Sequence, residues 1–170
     1  MRRGPRAGGA GQTSGRNISS RAHKGFTGTQ IIPEQALKRV LFVCIGNACR
    51  SPMAAGFANH YGSDVLKASS AGLAPIDKIP PETVAVMKEM NIDISSHVPR
   101  HYDPFEAVNS DLIINMAGFK LPGPGPKESI DWVVPDPYTR PTAAYRLIRD
   151  ELEQRVMRLI LDLRRVRQTA

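Results

Sequence analysis

The chain has 170 residues, of which 41% are hydrophobic and 23% are charged. That length favours a single domain, because single cores rarely grow beyond roughly 250–300 residues, and the composition is ordinary for a globular protein. Since the sequence contains no apolar run of about 18 residues, we expect no membrane-spanning helix. The formal net charge of +7 would suit an anionic partner such as nucleic acid or phosphate.

Most of the positive charge lies at the N-terminal end. Residues 1–33 contain six Lys or Arg side chains, no Asp or Glu, and seven of the 14 glycines, which leaves 17 basic against 16 acidic residues elsewhere. A segment with so few large apolar residues buries too little surface to offset chain entropy. We therefore predict a disordered basic tail over residues 1–36 and one domain over residues 37–170. A basic arm for nucleic acid or lipid and a transit peptide remain alternatives for the tail, but the near-neutral domain itself predicts neither a nucleic-acid partner nor a membrane.

The first half of the domain alternates between strand and helix patterns. Residues 39–44 are a short apolar, β-branched run typical of a buried strand. A Gly-Asn turn separates them from a helix predicted over residues 51–61. A weaker strand pattern follows at residues 65–70. Pro and Glu in the first turn then mark a helix over residues 81–91.

The second half continues the alternation. Buried strands are predicted at residues 111–116 and 130–134, separated by a Pro/Gly run at 121–126 that cannot be regular structure. Apolar residues at three- and four-residue steps predict a long final helix over residues 141–166. Such alternation indicates an α/β fold with a parallel sheet covered on both faces. Ligands of such sheets bind beyond the C-terminal ends of the strands, where the loops after the first and last strands lie.

The loop after the first strand has the composition of an oxyanion cradle. Gly46 and Asn47 tolerate a positive φ, which lets the backbone curl with its N–H groups pointing inward. The following helix adds the positive end of its dipole, and Arg50 adds a planar guanidinium that can hold two phosphate oxygens. Cys44 would lie at the floor of this cradle, where the positive surroundings favour a thiolate. The loop therefore predicts a phosphate site with a cysteine nucleophile.

Cys44 and Cys49 are the two cysteines of the chain. Two cysteines are too few for a disulfide framework. Both lie in one short loop without a nearby histidine cluster, so a four-ligand zinc site is not expected, and we predict no metal and no cofactor. Because the sequence shows no secretory signal pattern, the reducing cytoplasm is the expected compartment.

A longer run around this loop resembles a known family. The eleven residues from Cys44 to Ala54 read Cys-Ile-Gly-Asn-Ala-Cys-Arg-Ser-Pro-Met-Ala. In this form the run resembles the low-molecular-weight protein tyrosine phosphatases, a family shared with thioredoxin-linked arsenate reductases. The resemblance extends over about residues 38–166, and further matching segments follow in the family's order. They are Ser70–Gly72, Asn91–His97 with Arg100, Asp111–Met116 and Asp136–Tyr138.

The resemblance implies a fold and a mechanism. The fold is a three-layer, flavodoxin-like α/β arrangement with a four-stranded parallel sheet in the order 2-1-3-4. The mechanism is attack of Cys44 on phosphorus to form a cysteinyl-phosphate, while Arg50 and the loop N–H groups stabilise the transition state. Asp136, which follows the last strand, would protonate the leaving group and then activate the hydrolytic water.

The same resemblance assigns binding and supporting roles around Cys44. Ser51 would donate a hydrogen bond to the thiolate, Tyr138 would wall the pocket, and a peroxide-driven disulfide with Cys49 would protect the nucleophile. Three residues would hold the loop open: Asn47, Ser70 and His97. The phosphate-binding positions of the loop are Ile45, Gly46, Asn47, Ala48, Cys49 and Ser51.

The chain departs from the family pattern near the expected substrate rim. Ala55 and Gly56 replace the usual acidic residue, and residues 117–120 read Ala-Gly-Phe-Lys where an Asp is usual. Ala48 stands where Ile accompanies phosphotyrosine enzymes and Thr accompanies phosphoarginine enzymes. The predicted function is a protein-tyrosine-phosphatase-type hydrolase of aryl phosphomonoesters, and the departures leave its physiological substrate open.

Three other functions remain open. The chain could reduce arsenate with an external thiol partner, since it has no redox cysteine beyond Cys49. It could hydrolyse phosphoarginine, or bind phosphate without turnover, although the presence of both Cys44 and Asp136 argues against a pure binding module. The expected partner is a phosphorylated protein or a small aryl phosphate, and the expected assembly is a monomer or weak dimer.

Overall fold

Four strands and four helices make up the fold in a computed structural model that describes residues 36–125 and 127–169. The basic tail predicted over residues 1–36 lies outside the described residues except for its last position. In chain order the elements are β1 (Lys38–Cys44), α1 (Arg50–Tyr61), β2 (Leu66–Gly72), α2 (Pro81–Lys88), α3 (Pro104–Asn109), β3 (Leu112–Asn115), β4 (Ser129–Asp131) and α4 (Thr142–Thr169).

The four strands form one parallel sheet in the order β2-β1-β3-β4, which confirms the predicted topology. β1 is a central strand, with Val40 opposite Ala68 of β2 on one side and Leu112 of β3 on the other. Because all strands run in one direction, their C-terminal residues meet at a single edge of the sheet. Cys44 of β1 lies at this edge, opposite Gly72 of β2.

The sheet separates two hydrophobic cores, since successive side chains of a strand point to opposite faces. Phe42 of β1 and Ile114 of β3 belong to a large core formed with α1, α2 and α4. Leu41 and Ile113 belong to a smaller core, to which α3 contributes Ala107. Helices therefore cover both faces, as the three-layer prediction requires.

The final helix is a main support of the large core. α4 runs for 28 residues and buries Tyr145, Leu152 and Val156, which confirms the predicted apolar face. Its contacts with α1 and α2 fix those two helices against the sheet. Within the described part of the chain, no helix combines the length and apolar character needed to cross a membrane.

The sequence patterns missed α3 and were wrong about the extent and burial of β4. α3 has six residues, too few for a helical repeat of apolar residues to show. It begins at Pro104 after Asp103, whose carboxylate accepts a hydrogen bond from Phe105 N at 2.8 Å. β4 ends at Asp131, and its three residues are exposed, whereas a buried strand over residues 130–134 was expected.

Most other element boundaries differ from the predictions by three residues or fewer, and two of these differences bear on the site. α2 ends at Lys88 rather than at residue 91, because Asn91 has a φ of 57°, a left-handed conformation that an α-helix cannot contain. β2 extends to Gly72, beyond the predicted end at residue 70. This extension brings β2 against the loop that follows β1.

Candidate active site

The loop between β1 and α1 turns three successive backbone carbonyls toward segment 73–76, which follows β2. A trans peptide directs its N–H opposite to its C=O. The N–H groups of residues 45–47 therefore point to the other side of the loop, where the cradle is predicted. The hydrogen bonds run from Leu73 N to Cys44 O (3.1 Å), from Ala74 N to Ile45 O (2.9 Å) and from Ile76 N to Gly46 O (3.1 Å).

Asn47 is the buried centre of this loop. It adopts a φ of 47°, a left-handed conformation that asparagine tolerates better than most residues. Its amide Nδ2 donates to Ser51 Oγ and to Ser70 Oγ, each at 2.9 Å. Its Oδ1 accepts from the backbone N–H of Arg100, and its carbonyl accepts from His97 Nε2, again at 2.9 Å each. The three residues predicted to hold the loop open thus meet at one place.

Cys44 lies within hydrogen-bond distance of Ser51, with Sγ and Oγ 3.0 Å apart. Because Ser51 Oγ accepts a hydrogen bond from Asn47, its own hydrogen is available for Cys44 Sγ, a nearer acceptor than the carbonyl of Ala71 at 3.5 Å. Both side chains are buried. The geometry therefore lets the Ser51 hydroxyl donate a hydrogen bond to the sulfur that is predicted to be the nucleophile.

Arg50 connects the loop to the ends of the other strands. Its side chain is 7% exposed, and its guanidinium donates through Nη1 to Met116 O at 2.9 Å and Val134 O at 3.2 Å. Its Nη2 forms an ion pair with Asp136. Its buried Nε has no hydrogen-bond partner among the described residues. Since buried donors are normally paired, a bound oxyanion would supply the acceptor that this nitrogen lacks.

Asp136 pairs with Arg50, and Tyr138 follows it two residues later. The side chain of Asp136 is 41% exposed, and its second carboxylate oxygen accepts a hydrogen bond from Tyr138 N at 3.1 Å. Tyr138 and Ile45 are both exposed apolar side chains, whereas Ala48 is buried. The predicted acid therefore combines an ion pair on one oxygen with access to solvent.

Cys49 differs from Cys44 in its surroundings. It is buried in the large core, where its sulfur accepts a hydrogen bond from Thr83 Oγ1 at 3.4 Å. Burial raises the pKa of the Cys49 thiol to about 11, against a weaker opposing effect of the hydrogen bond from Thr83. Burial likewise raises the pKa of the neighbouring Tyr145 to about 12. At neutral pH Cys49 is therefore a thiol.

His97 supports the loop in its neutral form. Burial is the main cause that lowers the pKa of His97, and the nearby charge of Arg100 acts in the same direction. Because the hydrogen bond ends on a carbonyl, Nε2 must carry the proton and donate it to Asn47 O. The imidazole thus fixes the loop without adding a positive charge.

A cavity of about 800 Å³ adjoins Arg50 at the C-terminal ends of β3 and β4. Phe119, Leu121 and Trp132 contribute to its lining. Residues 117–120, where the chain departs from the family pattern, also line it. Residues 117–120 therefore form part of the wall of a cavity that adjoins Arg50.

Gly72 is a component of the site whose function sequence patterns did not identify. A Cβ atom at this position would lie 2.5 Å from Ile45 O and 2.9 Å from Asn47 N, closer than real side chains approach backbone. The Ser-Ala-Gly run at the end of β2 was the available signal, but its meaning depends on a contact with a loop about 25 residues earlier. The roles of Arg100 and of segment 73–76 in holding the loop were missed for the same reason.

We expect Gly72→Ala to displace the loop. The added methyl group should lower the free energy of unfolding by about 1–3 kcal/mol and reduce kcat, because Ile45 and Asn47 must move. Urea unfolding and steady-state kinetics would measure the two effects. Gly125→Ala is the matched control, since a Cβ there meets no atom within 4 Å. Equal stability and activity in the two variants would contradict the prediction.

A thiol, an arginine and a carboxylate at the C-terminal edge of a parallel α/β sheet define a class of enzymes. Its members bind phosphate in a backbone loop and use cysteine as the nucleophile. Residues 39–121 match the family described as low molecular weight phosphotyrosine protein phosphatase. Together with the relatives below, this match shows that the chain belongs to that family, which confirms the resemblance found in the sequence.

The names of several relatives refer to arsenate reduction, and the name of one solved structure refers to arginine phosphatase activity. A glutaredoxin arsenate reductase from Synechocystis sp. is 34% identical over 131 residues, which cover 75% of this chain and 99% of the relative. A solved structure of an arsenate reductase in the phosphate binding state is 32% identical, with a TM-score of 0.68 over 75% of this chain and 99% of the other. An arginine phosphatase from Geobacillus stearothermophilus shares the fold, with a TM-score of 0.68 at 24% identity over 78% and 96% of the two chains.

Proposed function

We propose that the protein is a cysteine-dependent phosphatase that hydrolyses aryl phosphomonoesters of the phosphotyrosine type. The observation that carries the proposal is the meeting of three groups at one sheet edge. Cys44 ends β1 and Asp136 follows β4, while Arg50 donates to Met116 O after β3 and to Val134 O after β4 and pairs with Asp136. A nucleophile, an anion-binding cation and a solvent-accessible acid are the groups that ester hydrolysis requires.

The proposed reaction has two steps. Cys44 Sγ attacks phosphorus, an S–P bond forms, and the P–O bond to the leaving group breaks as Asp136 protonates the departing oxygen. Arg50 and the loop N–H groups stabilise the charge on the equatorial oxygens. In the second step Asp136 accepts a proton from water, the water oxygen bonds to phosphorus, and the S–P bond breaks to release phosphate and the Cys44 thiolate.

The rim supports an aromatic leaving group. Ile45 follows Cys44 in the loop, Tyr138 follows Asp136 by two residues, and both side chains are exposed. The ring of Tyr138 could stack on an aryl group, and the aliphatic side chain of Ile45 could contact it. A phosphorylated protein or a small aryl phosphate is therefore the proposed substrate, and the reducing cytoplasm is the proposed compartment. The proposal includes no metal or cofactor, because Arg50 and the backbone dipoles supply the positive field.

Arsenate reduction is the second candidate, and the names of the relatives favour it. Arsenate has the charge and shape of phosphate, so Cys44 could displace hydroxide from it to form an S–As bond. An external thiolate would then attack Cys44 Sγ, forming a mixed disulfide while the electron pair of the S–As bond leaves with arsenic as arsenite. Cys49 is a poor resolving thiol because its pKa is about 11, so this route needs a partner such as glutathione or a glutaredoxin.

A parallel assay decides between the candidates. We expect phenyl phosphate to be hydrolysed without any thiol donor, and arsenite to form, if at all, only when glutathione with glutaredoxin, or reduced thioredoxin, is added. Rapid thiol-dependent arsenite formation without ester hydrolysis would overturn the phosphatase proposal. Tight phosphate binding without either turnover would identify a binding module instead.

Peroxide inactivation tests the proposed redox pairing of the two cysteines. Cys44 would be oxidised to a sulfenic acid, which Cys49 attacks to form a disulfide with release of water. Only about one Cys49 side chain in 10⁴ is ionised at pH 7 when the pKa is about 11. We therefore expect the rate of disulfide formation to rise about tenfold per pH unit between pH 7 and pH 10.

Tandem mass spectrometry after a peroxide pulse would measure this rate, with Cys49→Ala as the control in which further oxidation of Cys44 replaces the disulfide. A rate that does not change with pH would contradict the prediction.

A further inference from the structure

Segment 97–102 is tied to the catalytic loop by its backbone. The N–H of Arg100 donates to Asn47 Oδ1 at 2.9 Å. The carbonyl of Arg100 accepts from Gly72 N at 2.9 Å, and Gly72 O accepts from Tyr102 N at 2.8 Å. The backbone of this segment thus determines where the Asn47 side chain lies, and Asn47 in turn orients Ser51 toward Cys44.

The side chain of Arg100 points to a different partner. Its guanidinium forms a two-pronged ion pair with Glu106 of α3, with Nη1–Oε2 at 2.5 Å and Nη2–Oε1 at 2.9 Å. Glu106 Oε1 also accepts a hydrogen bond from Ser69 Oγ at 2.9 Å. Ser69 precedes Ser70 on β2, and Ser70 is itself a partner of Asn47. The Glu106 carboxylate therefore connects Arg100 with Ser69 of β2. The backbone of Arg100 and the side chain of Ser70, next to Ser69, both hydrogen-bond to Asn47.

We propose that Glu106 is a positioning residue for the Cys44 nucleophile and acts through Arg100 and Asn47. The inference rests on the proposed function only in assigning Cys44 as the nucleophile. Glu106 lies on α3, the helix that the sequence patterns missed, and touches none of the groups proposed to contact substrate.

The electrostatics of the contact are consistent with this role. The hydrogen bond with Arg100 is the main cause that lowers the pKa of Glu106, and it outweighs the opposing effect of burial. The carboxylate is thus charged at neutral pH. A planar guanidinium and a carboxylate that share two hydrogen bonds define orientation as well as distance, which a single contact would not do.

The loss of this orientation should propagate to Cys44. In Glu106→Gln, the amide NH₂ would face a guanidinium N–H, so one of the two hydrogen bonds is replaced by a donor–donor contact. The backbone of segment 97–102 then keeps its hydrogen bonds to Gly72 but loses the support of the Arg100 side chain, so the N–H of Arg100 is held less tightly opposite Asn47 Oδ1. The chain of hydrogen bonds to Ser51 and Cys44 loosens, and the thiolate loses part of its stabilisation.

The experiment compares Glu106→Gln with Glu89→Gln in the full chain. Glu89 is the matched control, because its carboxylate also accepts hydrogen bonds from an arginine fork, that of Arg146, but lies in the contact between α2 and α4. The readout is the pH dependence of iodoacetamide alkylation at Cys44, followed by tandem mass spectrometry. This measurement needs no substrate, so it remains decisive if the phosphatase proposal fails.

We expect the midpoint of the alkylation profile to rise by roughly 0.5 pH unit in Glu106→Gln and kcat to fall about threefold to tenfold, with neither change in Glu89→Gln. Arg100→Lys, which keeps the charge but not the fork, should show a shift in the same direction. Thermal unfolding checks that all variants are folded. An unchanged midpoint in Glu106→Gln, or equal shifts in Glu106→Gln and Glu89→Gln, would overturn the proposal.

Discussion

Replacing Cys44 by serine is expected to lower kcat for aryl phosphates by roughly 10⁴-fold or more. A serine hydroxyl is far less acidic than a thiol, so the single hydrogen bond from Ser51 at 3.0 Å cannot keep it ionised at neutral pH. The S–P intermediate cannot form, and no other described thiol faces the cradle, because Cys49 is buried beside Thr83. Stopped assays with phenyl phosphate and with arsenate would both measure the loss.

The folded state of this variant is the necessary control. Serine is slightly smaller than cysteine and keeps a hydrogen bond with Ser51, so the midpoint of thermal unfolding should change by only a few degrees. Inorganic phosphate should still raise that midpoint, because Arg50 and the loop N–H groups remain in place. A folded Cys44→Ser protein that retains turnover would refute the nucleophile assignment and both candidate reactions with it.

The local parts of the fold and site could be predicted from the sequence. The apolar run of β1, the Gly-Asn turn and the first turn of α1 are neighbours along the chain, so their pattern contains the information that places Cys44 below a cradle. The apolar face of α4 likewise follows from its own spacing. Parallel pairing then places Asp136 at the same edge as Cys44 without any knowledge of side-chain contacts.

The contacts between distant segments could not be predicted in this way. Arg100 is 53 positions from Asn47. Neither residue type indicates that the backbone N–H of Arg100 will lie within hydrogen-bond distance of the Asn47 side chain. The need for glycine at position 72 depends on the carbonyl of Ile45, a group whose position only the folded chain defines. The burial that raises the pKa of Cys49 comes from packing against α2 and α4. The sequence therefore suggested Cys49 as a redox partner for Cys44, but it did not indicate the burial that we expect to slow the reaction of Cys49.

The contact between Arg50 and Asp136 bears on how the proposed acid reaches the substrate. In the structure Asp136 pairs with Arg50 through one carboxylate oxygen, while its side chain is 41% exposed. A phosphate dianion in the cradle would compete with Asp136 for the guanidinium. Substrate binding would thus free the Asp136 side chain to face the leaving oxygen, which is the position that a general acid must take.

Asp136→Asn should therefore slow hydrolysis in proportion to the basicity of the leaving group. We expect kcat for phenyl phosphate to fall about 10²- to 10³-fold, and kcat for p-nitrophenyl phosphate by less than about tenfold, because an acidic phenol departs without a proton donor. Asp64→Asn is the matched control, since its carboxylate also pairs with an arginine, Arg164 at 2.7 Å, yet lies just before β2, at the opposite end of the sheet from Cys44. An equal loss on both esters would contradict the role of Asp136 as an acid. Because arsenic leaves Cys44 with the electron pair of the S–As bond and no phenol is released, arsenate reduction should be less sensitive to this change than phenyl phosphate hydrolysis.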